Sequence, residues 1–253
     1  VKGGAGGPLA VFVIALIAAV LANLLAGKTK IDIILTPAVT VLVGGLLAIF
    51  IAPPIGSFAN EFGKLIMWAT TQHPFVMGII VSVIVGILLT LPVSSAAICA
   101  SIGLTGLAGG AAVAGCCAQM VGFASFRENK VGGLVAQGLG TSMLQIGNIM
   151  KNPRIWIAPT LASAITGPIS TMVFKMEMNG PAISSGMGTC GMVGPIGVWQ
   201  GWVSTGYSAT WFDWLGLLLI CIVIPAVLTV SIDLAMRKLG WVKNGDQKLV
   251  IAK

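Results

Sequence analysis

The sequence predicts an all-α, polytopic membrane protein whose spans are interrupted by re-entrant hairpins, and three observations carry that prediction. Of the 253 residues, 57% are hydrophobic and only 8% charged, whereas a soluble domain carries about a quarter charged residues. Several apolar stretches run unbroken for about 20 residues, the length that crosses a bilayer core as a helix. Between them lie stretches rich in glycine, serine and proline, where a helix is expected to break. A lipid-facing backbone admits only helices or a closed barrel, and a barrel would show short strands of alternating polarity. Helices are therefore expected throughout.

The first span is Pro8 to Gly27, closed by Gly27-Lys28-Thr29-Lys30, and the second is Ile31 to Ala52, closed by Pro53-Pro54. In residues 55–73, Phe58, Phe62, Leu65 and Ile66 recur at helical spacing, with Asn60, Glu61 and Lys64 elsewhere on the turn. This segment is expected to lie in the membrane interface with Trp68 at headgroup depth. A third span runs from Pro74 to Leu91. From Pro92 to Ser125 the chain stays apolar but collects glycine, serine, alanine and cysteine. Glycine costs about 1 kcal/mol inside a helix, so a broken, re-entrant structure is expected, with unwound backbone available to a solute. Residues 131–150 are amphipathic, and Ile155 to Phe174 reads as a span despite Pro159 and Pro168. A second broken stretch runs from Asn179 to Gly197, bracketed by Pro181 and Pro195. Trp211 to Ala235 is the last span, followed by Arg237, Lys238 and a polar, basic tail from Val242 to Lys253. There is also a faint internal echo, in which Pro92 precedes Ser94-Ser95 and Cys99, while Pro181 precedes Ser184-Ser185 and Cys190.

The net charge of +7 does not mark a nucleic-acid binder, because the basic residues occupy short connections and the tail, where the positive-inside rule puts them. Arg237, Lys238, Lys243, Lys248 and Lys253 place the C-terminus on the cytoplasmic side of a bacterial inner membrane. Lys28, Lys30, Lys151 and Arg154 fall on the same side. If Arg127 and Lys130 do too, residues 92–125 enter and leave from the cytoplasm and 179–208 from outside, a transporter-like arrangement; a full span at 131–150 would put Arg127 outside. Cys99, Cys116, Cys117, Cys190 and Cys221 lie in apolar or glycine-rich stretches without metal-ligand spacing to His73. They read as small buried thiols, and no metal or other cofactor is expected. The seven carboxylates fall almost entirely at span ends or in loops, and no nucleophile triad or phosphate-binding loop is present, so an enzyme is not expected. The chain begins at Val1-Lys2-Gly3-Gly4 and reads as part of a longer protein.

A site for a small polar solute is expected between the hairpins. The second offers the hydroxyls of Ser184, Ser185 and Thr189, joined by Asn179 and Gln200. Close packing of small residues needs the same composition, but it does not need a helix broken at both ends. Ser94, Ser95 and Gln119 are the candidates in the first hairpin. Gln145 and Asn148 either line the same cavity or form the wet face of an interfacial helix. Trp199, Trp202, Tyr207, Trp211 and Trp214 read as an aromatic belt. A permease is the first functional reading and a membrane-embedded ligand sensor without net transport the second. An ion channel is disfavoured, since no ring of charges or carbonyl filter is visible.

The run Gly186-Met187-Gly188-Thr189-Cys190-Gly191-Met192-Val193-Gly194-Pro195, with Pro92-Val93-Ser94-Ser95-Ala96-Ala97-Ile98 and the turn Lys151-Asn152-Pro153-Arg154, resembles the compact EIIC-like membrane proteins of the phosphotransferase system, a group that includes toxin-regulator-like members. The resemblance covers the whole chain, with one or more N-terminal helices missing. It implies a single EIIC-like domain over 1–253 in an EIIC-like transporter fold, and a homodimer. Residues 1–91 would then be the scaffold and dimerisation helices, 92–235 the hairpin-bearing substrate part and 242–253 a cytoplasmic tail. In the sugar carriers of this group a hairpin glutamate hydrogen-bonds the sugar, and separate cytoplasmic components donate phosphate. Here neither 92–125 nor 179–197 contains a carboxylate, and no phosphocarrier domain is attached to these residues.

Overall fold

A computed structural model describes residues 7–28, 31–124 and 126–249, and the end of the tail (250–253), Thr29, Lys30 and Ser125 lie outside the described residues. Among the described residues the elements are helical and no strand forms. Among the described residues three helices are long and apolar enough to cross a membrane: α1 (Gly7–Leu25), α2 (Asp32–Phe50) and the rod Trp211–Lys238. The chain divides into two compact units, one made of the described residues up to Lys64 with Ala100–Gly103, the other of Leu65–Cys99 with the described residues from Leu104 onward.

In the first unit α1 packs against α2, and both leave large apolar side chains exposed, among them Phe12, Leu16, Val41 and Ile49. The Asp32 carboxylate shapes the start of α2, accepting from the Gly27 amide at 2.8 Å and from the Thr36 hydroxyl. Pro53 and Pro54 fall in the first turn of α3 (Ala52–Gln72). The amide protons they lack would have had no partner there, so the pair opens a helix rather than merely closing one.

The second unit is built on α4 (Pro74–Thr90), α6 (Gly106–Gly122) and α9 (Ile157–Pro168), which pack on one another. Gly78, Ser82 and Gly86 recur every fourth residue along α4, a small-residue stripe that lets helix backbones approach closely. A methyl group at Gly115 of α6 would overlap the Ser82 carbonyl, and one at Gly167 would overlap that of Gly78. The Ser82 hydroxyl donates to the Ser163 carbonyl at 2.8 Å, and the Ser163 hydroxyl to that of Gly115 at 3.1 Å. The glycine-rich stretch 92–125 is therefore broken less widely than its composition predicts. Leu91–Ser94 and Ile102–Thr105 are non-helical around the seven-residue α5 (Ser95–Ser101), but 106–122 is one continuous buried helix. Its glycines serve packing.

α9 runs on into a wider π turn, Ile169–Val173, just after Pro168. The C-terminal rod likewise consists of α11 (Trp211–Leu218), a π turn (Leu219–Val223) and α12 (Ile224–Lys238), with Pro225 just past the turn. Pro225 lacks the amide that would have bonded the Cys221 carbonyl, and Cys221 lies inside the wider turn.

Residues 131–150, read from sequence as one amphipathic stretch, form several short elements. α7 (Phe126–Gly133) continues as a π turn to Gly140; Ser142–Gln145 is a short 3₁₀ turn, and α8 (Ile146–Lys151) follows. The described part of the polar, basic tail is tied down. Gln247 is buried: its carbonyl accepts from Asn129 and Gln145 at 2.8 and 2.9 Å, and its amide donates to Glu128 at 2.8 Å. Arg237 lies between Glu128 and Asp233 at 2.8 and 2.6 Å. Residues 241–249 are thus a strap tied across 128–152.

Candidate functional site

The decisive local feature is a short non-helical segment, Lys175-Met176-Glu177-Met178-Asn179, in which Met178 bridges to Gly106. A strand-like backbone sends successive side chains to opposite sides. Met176 and Met178 are accordingly buried, while Lys175, Glu177 and Asn179 are exposed. The two methionines pack with Val113, Cys117, Val198 and Ile220 in one apolar core. The three polar side chains line a cavity of about 680 Å³. Trp202, Tyr207 and Asp213 line it too, together with Phe174, Met176, Thr205, Gly206, Gly216 and Leu217. Lys175 has φ 45, the left-handed region in which a side chain is strained. Such strain persists only where surrounding structure enforces it, often at functional sites.

Within the cavity Asn179 donates to Glu177 at 2.9 Å. Asp213 closes a capping box with Thr210 at the start of α11, and also accepts the Tyr207 phenol proton at 3.1 Å. The adjacent Asp213 carboxylate raises the Tyr207 pKa above its ordinary value by holding the phenol proton in that hydrogen bond and by like-charge repulsion of the anion. Asp213 is thus committed to the helix terminus, and Glu177 is the carboxylate left facing the cavity with a single amide partner. Among the described residues no three metal-ligating side chains converge.

The two broken segments meet behind this cavity. Gly106 and Met178 exchange backbone hydrogen bonds at 2.9 and 3.0 Å. The Ser95 hydroxyl donates to the Gly186 carbonyl at 2.7 Å, and the Ser185 hydroxyl to the Leu104 carbonyl at 2.6 Å. The serine pairs that echo each other in sequence therefore make reciprocal contacts, each reaching the other segment's backbone. A smaller cavity of about 340 Å³ opens beside the crossing, lined by Pro92, Ser94, Ser95, Thr141, Met187 and Cys190 among others.

The ten side chains picked out from sequence do not gather around one cavity. Asn179 faces the larger one; Ser94 and Ser95 line the smaller. Ser94 also accepts from the Ala97 amide at 3.2 Å. Ser184 is buried against Gly197, and Thr189 donates to the Gly138 carbonyl at 2.6 Å. Gln119 is buried as a hub, accepting from Trp156 at 3.0 Å and Thr90 at 3.2 Å while donating to Thr160 at 3.3 Å. Gln145 and Asn148 hold the strap, through the carbonyls of Gln247 and Lys248. Gln200 is exposed on α10 (Val193–Thr205) and is not among the residues lining either cavity.

Comparison with known proteins adds one finding: the family model described as "Phosphotransferase system, EIIC" matches residues 1–249. The chain belongs to the phosphotransferase-system EIIC family. No curated protein and no solved structure matches it. EIIC chains are the membrane components of phosphotransferase-type transport, and the all-α, multi-pass architecture agrees with that membership. Counted from Asn179, where the glycine-rich composition starts, the second broken segment of this EIIC chain holds no carboxylate. The structure begins the non-helical stretch at Phe174, which brings Glu177 inside. The missed signal was the period-2 alternation Lys-Met-Glu-Met-Asn between two helical patterns.

Proposed function

We propose that this EIIC chain is a permease for a small, polar, hydroxyl-rich solute, a sugar or a related compound, bound in the cavity lined by Lys175, Glu177, Asn179, Trp202 and Tyr207. The observation that carries the reading is the non-helical segment 175–179, which anchors two methionines in the core and presents three polar side chains to a cavity. About 680 Å³ falls within the range of roughly 300–1,000 Å³ typical of small-molecule sites. Glu177 and Asn179 supply hydrogen bonds in a pocket walled by Trp202, the pairing of polar fixers with apolar surface that such sites use. Ser94 and Ser95, in the smaller cavity, belong to the same route across the crossing.

We further propose a homodimer formed through the helices before residue 91, in a bacterial inner membrane, with the strap on the cytoplasmic side and soluble phosphotransferase components supplying phosphate there. The broad apolar exposure of α1 and α2 supports an interface of that kind.

The test is a panel of sugars, polyols and organic acids scored by thermal stabilisation of the purified protein. For a solute that binds, Glu177→Gln should weaken affinity by about ten-fold or more, since hydrogen bonds to a charged group contribute about 1.5–3 kcal/mol. Unchanged affinity in Glu177→Gln, with loss in Ser184→Ala, would move the site to the segment tips. Solute counterflow in liposomes is expected, and its absence despite binding would make the chain a sensor.

A further inference from the structure

Around the strap, positive charge is concentrated at the surface while negative charge is turned inward. Arg127 and Lys130 flank Glu128 and Asn129, the side chains that hold Gln247 and Leu249. Lys151 and Arg154 flank Asn152, which donates to the Trp241 carbonyl and to Asp246. Lys238, Lys243 and Lys248 belong to the end of α12 and the strap itself. These seven side chains are exposed, and among the described residues none is paired with a carboxylate. The neighbouring carboxylates are already engaged. Glu128 binds Arg237 and the Gln247 amide, Asp233 binds Arg237 and the Gln247 side chain, and Asp246 accepts from Asn152 and the Lys243 amide. These carboxylates keep their charge, but with Arg237 counted the cations outnumber the three of them, so the plate stays positive.

The apolar residues among these cations indicate what the plate meets. Lys238 ends one of the three helices able to cross a membrane, so the plate lies where that helix leaves the hydrocarbon. Met150, Leu239 and Trp241 are exposed among the charges, and the Arg154 guanidinium lies over the Trp241 ring at 5.9 Å. A phospholipid with an anionic headgroup matches both features, since its phosphate meets the cations and its acyl chains meet the apolar side chains. A phosphorylated soluble protein would use only the charges.

We propose that this plate binds anionic phospholipid headgroups of the surrounding bilayer, which bridge the cations of 127–154 to those of the strap and hold the strap in place. The proposal is independent of the solute cavity.

The experiment uses the full chain in neutral detergent, titrated with phosphatidylglycerol or with phosphatidylcholine of the same acyl chains, and reads the unfolding midpoint. Phosphatidylglycerol should raise the midpoint, phosphatidylcholine should not, and high salt should abolish the difference. Each cation contributes about five-fold to apparent affinity, so Lys151→Gln/Arg154→Gln should lose about 25-fold. Lys64→Gln removes an ammonium already paired with Glu61 and should respond like the parent. If the double variant does not fold, the salt arm on the parent chain decides. Equal stabilisation by both lipids, or an unaltered response in a folded double variant, overturns the proposal. So does stabilisation by inorganic phosphate or a phosphorylated carrier protein with none by phosphatidylglycerol.

Discussion

Replacing Gly186 by alanine probes the crossing of the two broken segments. A methyl carbon built there lies 2.6 Å from the Ser95 carbonyl oxygen, 2.7 Å from its carbon and 2.9 Å from the Ala96 nitrogen. Ordinary contact begins at 3.4 Å, so the segments must part by about 0.8 Å in an interior packed like a crystal. All three neighbours are backbone atoms, and no side-chain rotation relieves them. The same movement stretches the 2.7 Å bond from Ser95 to Gly186. Overpacking costs about 1–3 kcal/mol and a neutral hydrogen bond contributes about 0.5–1.5 kcal/mol, so the variant should lose about 2–4 kcal/mol. For a chain of this size that corresponds to a midpoint about 5–15 °C lower. The assay is thermal unfolding in detergent beside two reference variants. Ser95→Ala removes the hydrogen bond alone and should cost about 1 kcal/mol. Gly147→Ala adds a methyl that meets nothing within 4 Å and should cost nothing. A Gly186→Ala protein that melts no lower than Ser95→Ala would refute the reasoning.

Lys175→Gly should raise the unfolding midpoint, because relief of the left-handed backbone is worth about 1 kcal/mol, while weakening solute binding through loss of the ammonium. A lower midpoint would show that φ 45 is not strained. Tyr207 is the only tyrosine, so tyrosinate absorbance reports it alone. Its midpoint should lie above the ordinary value of about 10 and fall back in Asp213→Asn. With the folded pKa raised, the phenol's contribution to stability is fully present below the unfolded pKa and lost as pH rises through the folded one. Arg237→Ala leaves Glu128 and Asp233 uncompensated where the guanidinium was 9% exposed. Losses of about 3–5 kcal/mol are expected, with proteolysis of the strap as the readout, and an unchanged cleavage rate would count against the strap. Thr210→Ala should cost about 1 kcal/mol through the α11 cap, measured as the same midpoint.

Sequence patterning located most of this fold because most of it obeys one period at a time. The long apolar spans, the stops at Pro92 and Pro181 and the amphipathic 55–73 stretch all announce themselves in windows of a dozen residues. The misjudged parts have physical reasons. Glycine in α6 looks like a helix breaker locally, but Gly115 and its neighbours are there because another helix lies against them, a fact about α4 rather than α6. Gln145 and Asn148 read equally as cavity residues or as the wet face of a helix, because their partners, Gln247 and Lys248, lie about a hundred residues away. The cavity was partly legible. Asn179 stands out in the sequence, but residues 175–178 fall between the end of a span at Phe174 and the glycine-rich stretch, since five residues of alternation are a weak signal between two helical patterns. Trp202 and Tyr207 were read as a belt, because nothing in their spacing shows which faces inward.

The alternation in 175–179 also constrains how this stretch can change in length. Deleting or inserting a single residue would exchange the faces, pushing polar side chains toward Val113 and Ile220 and turning the methionines further into the cavity. Two residues at a time preserve the faces and merely lengthen or shorten the cavity wall. Variation here should therefore come in even steps, each adding or removing one polar side chain in the cavity and one apolar anchor beneath it, so that the size of the site and the grip of its wall on the core change together.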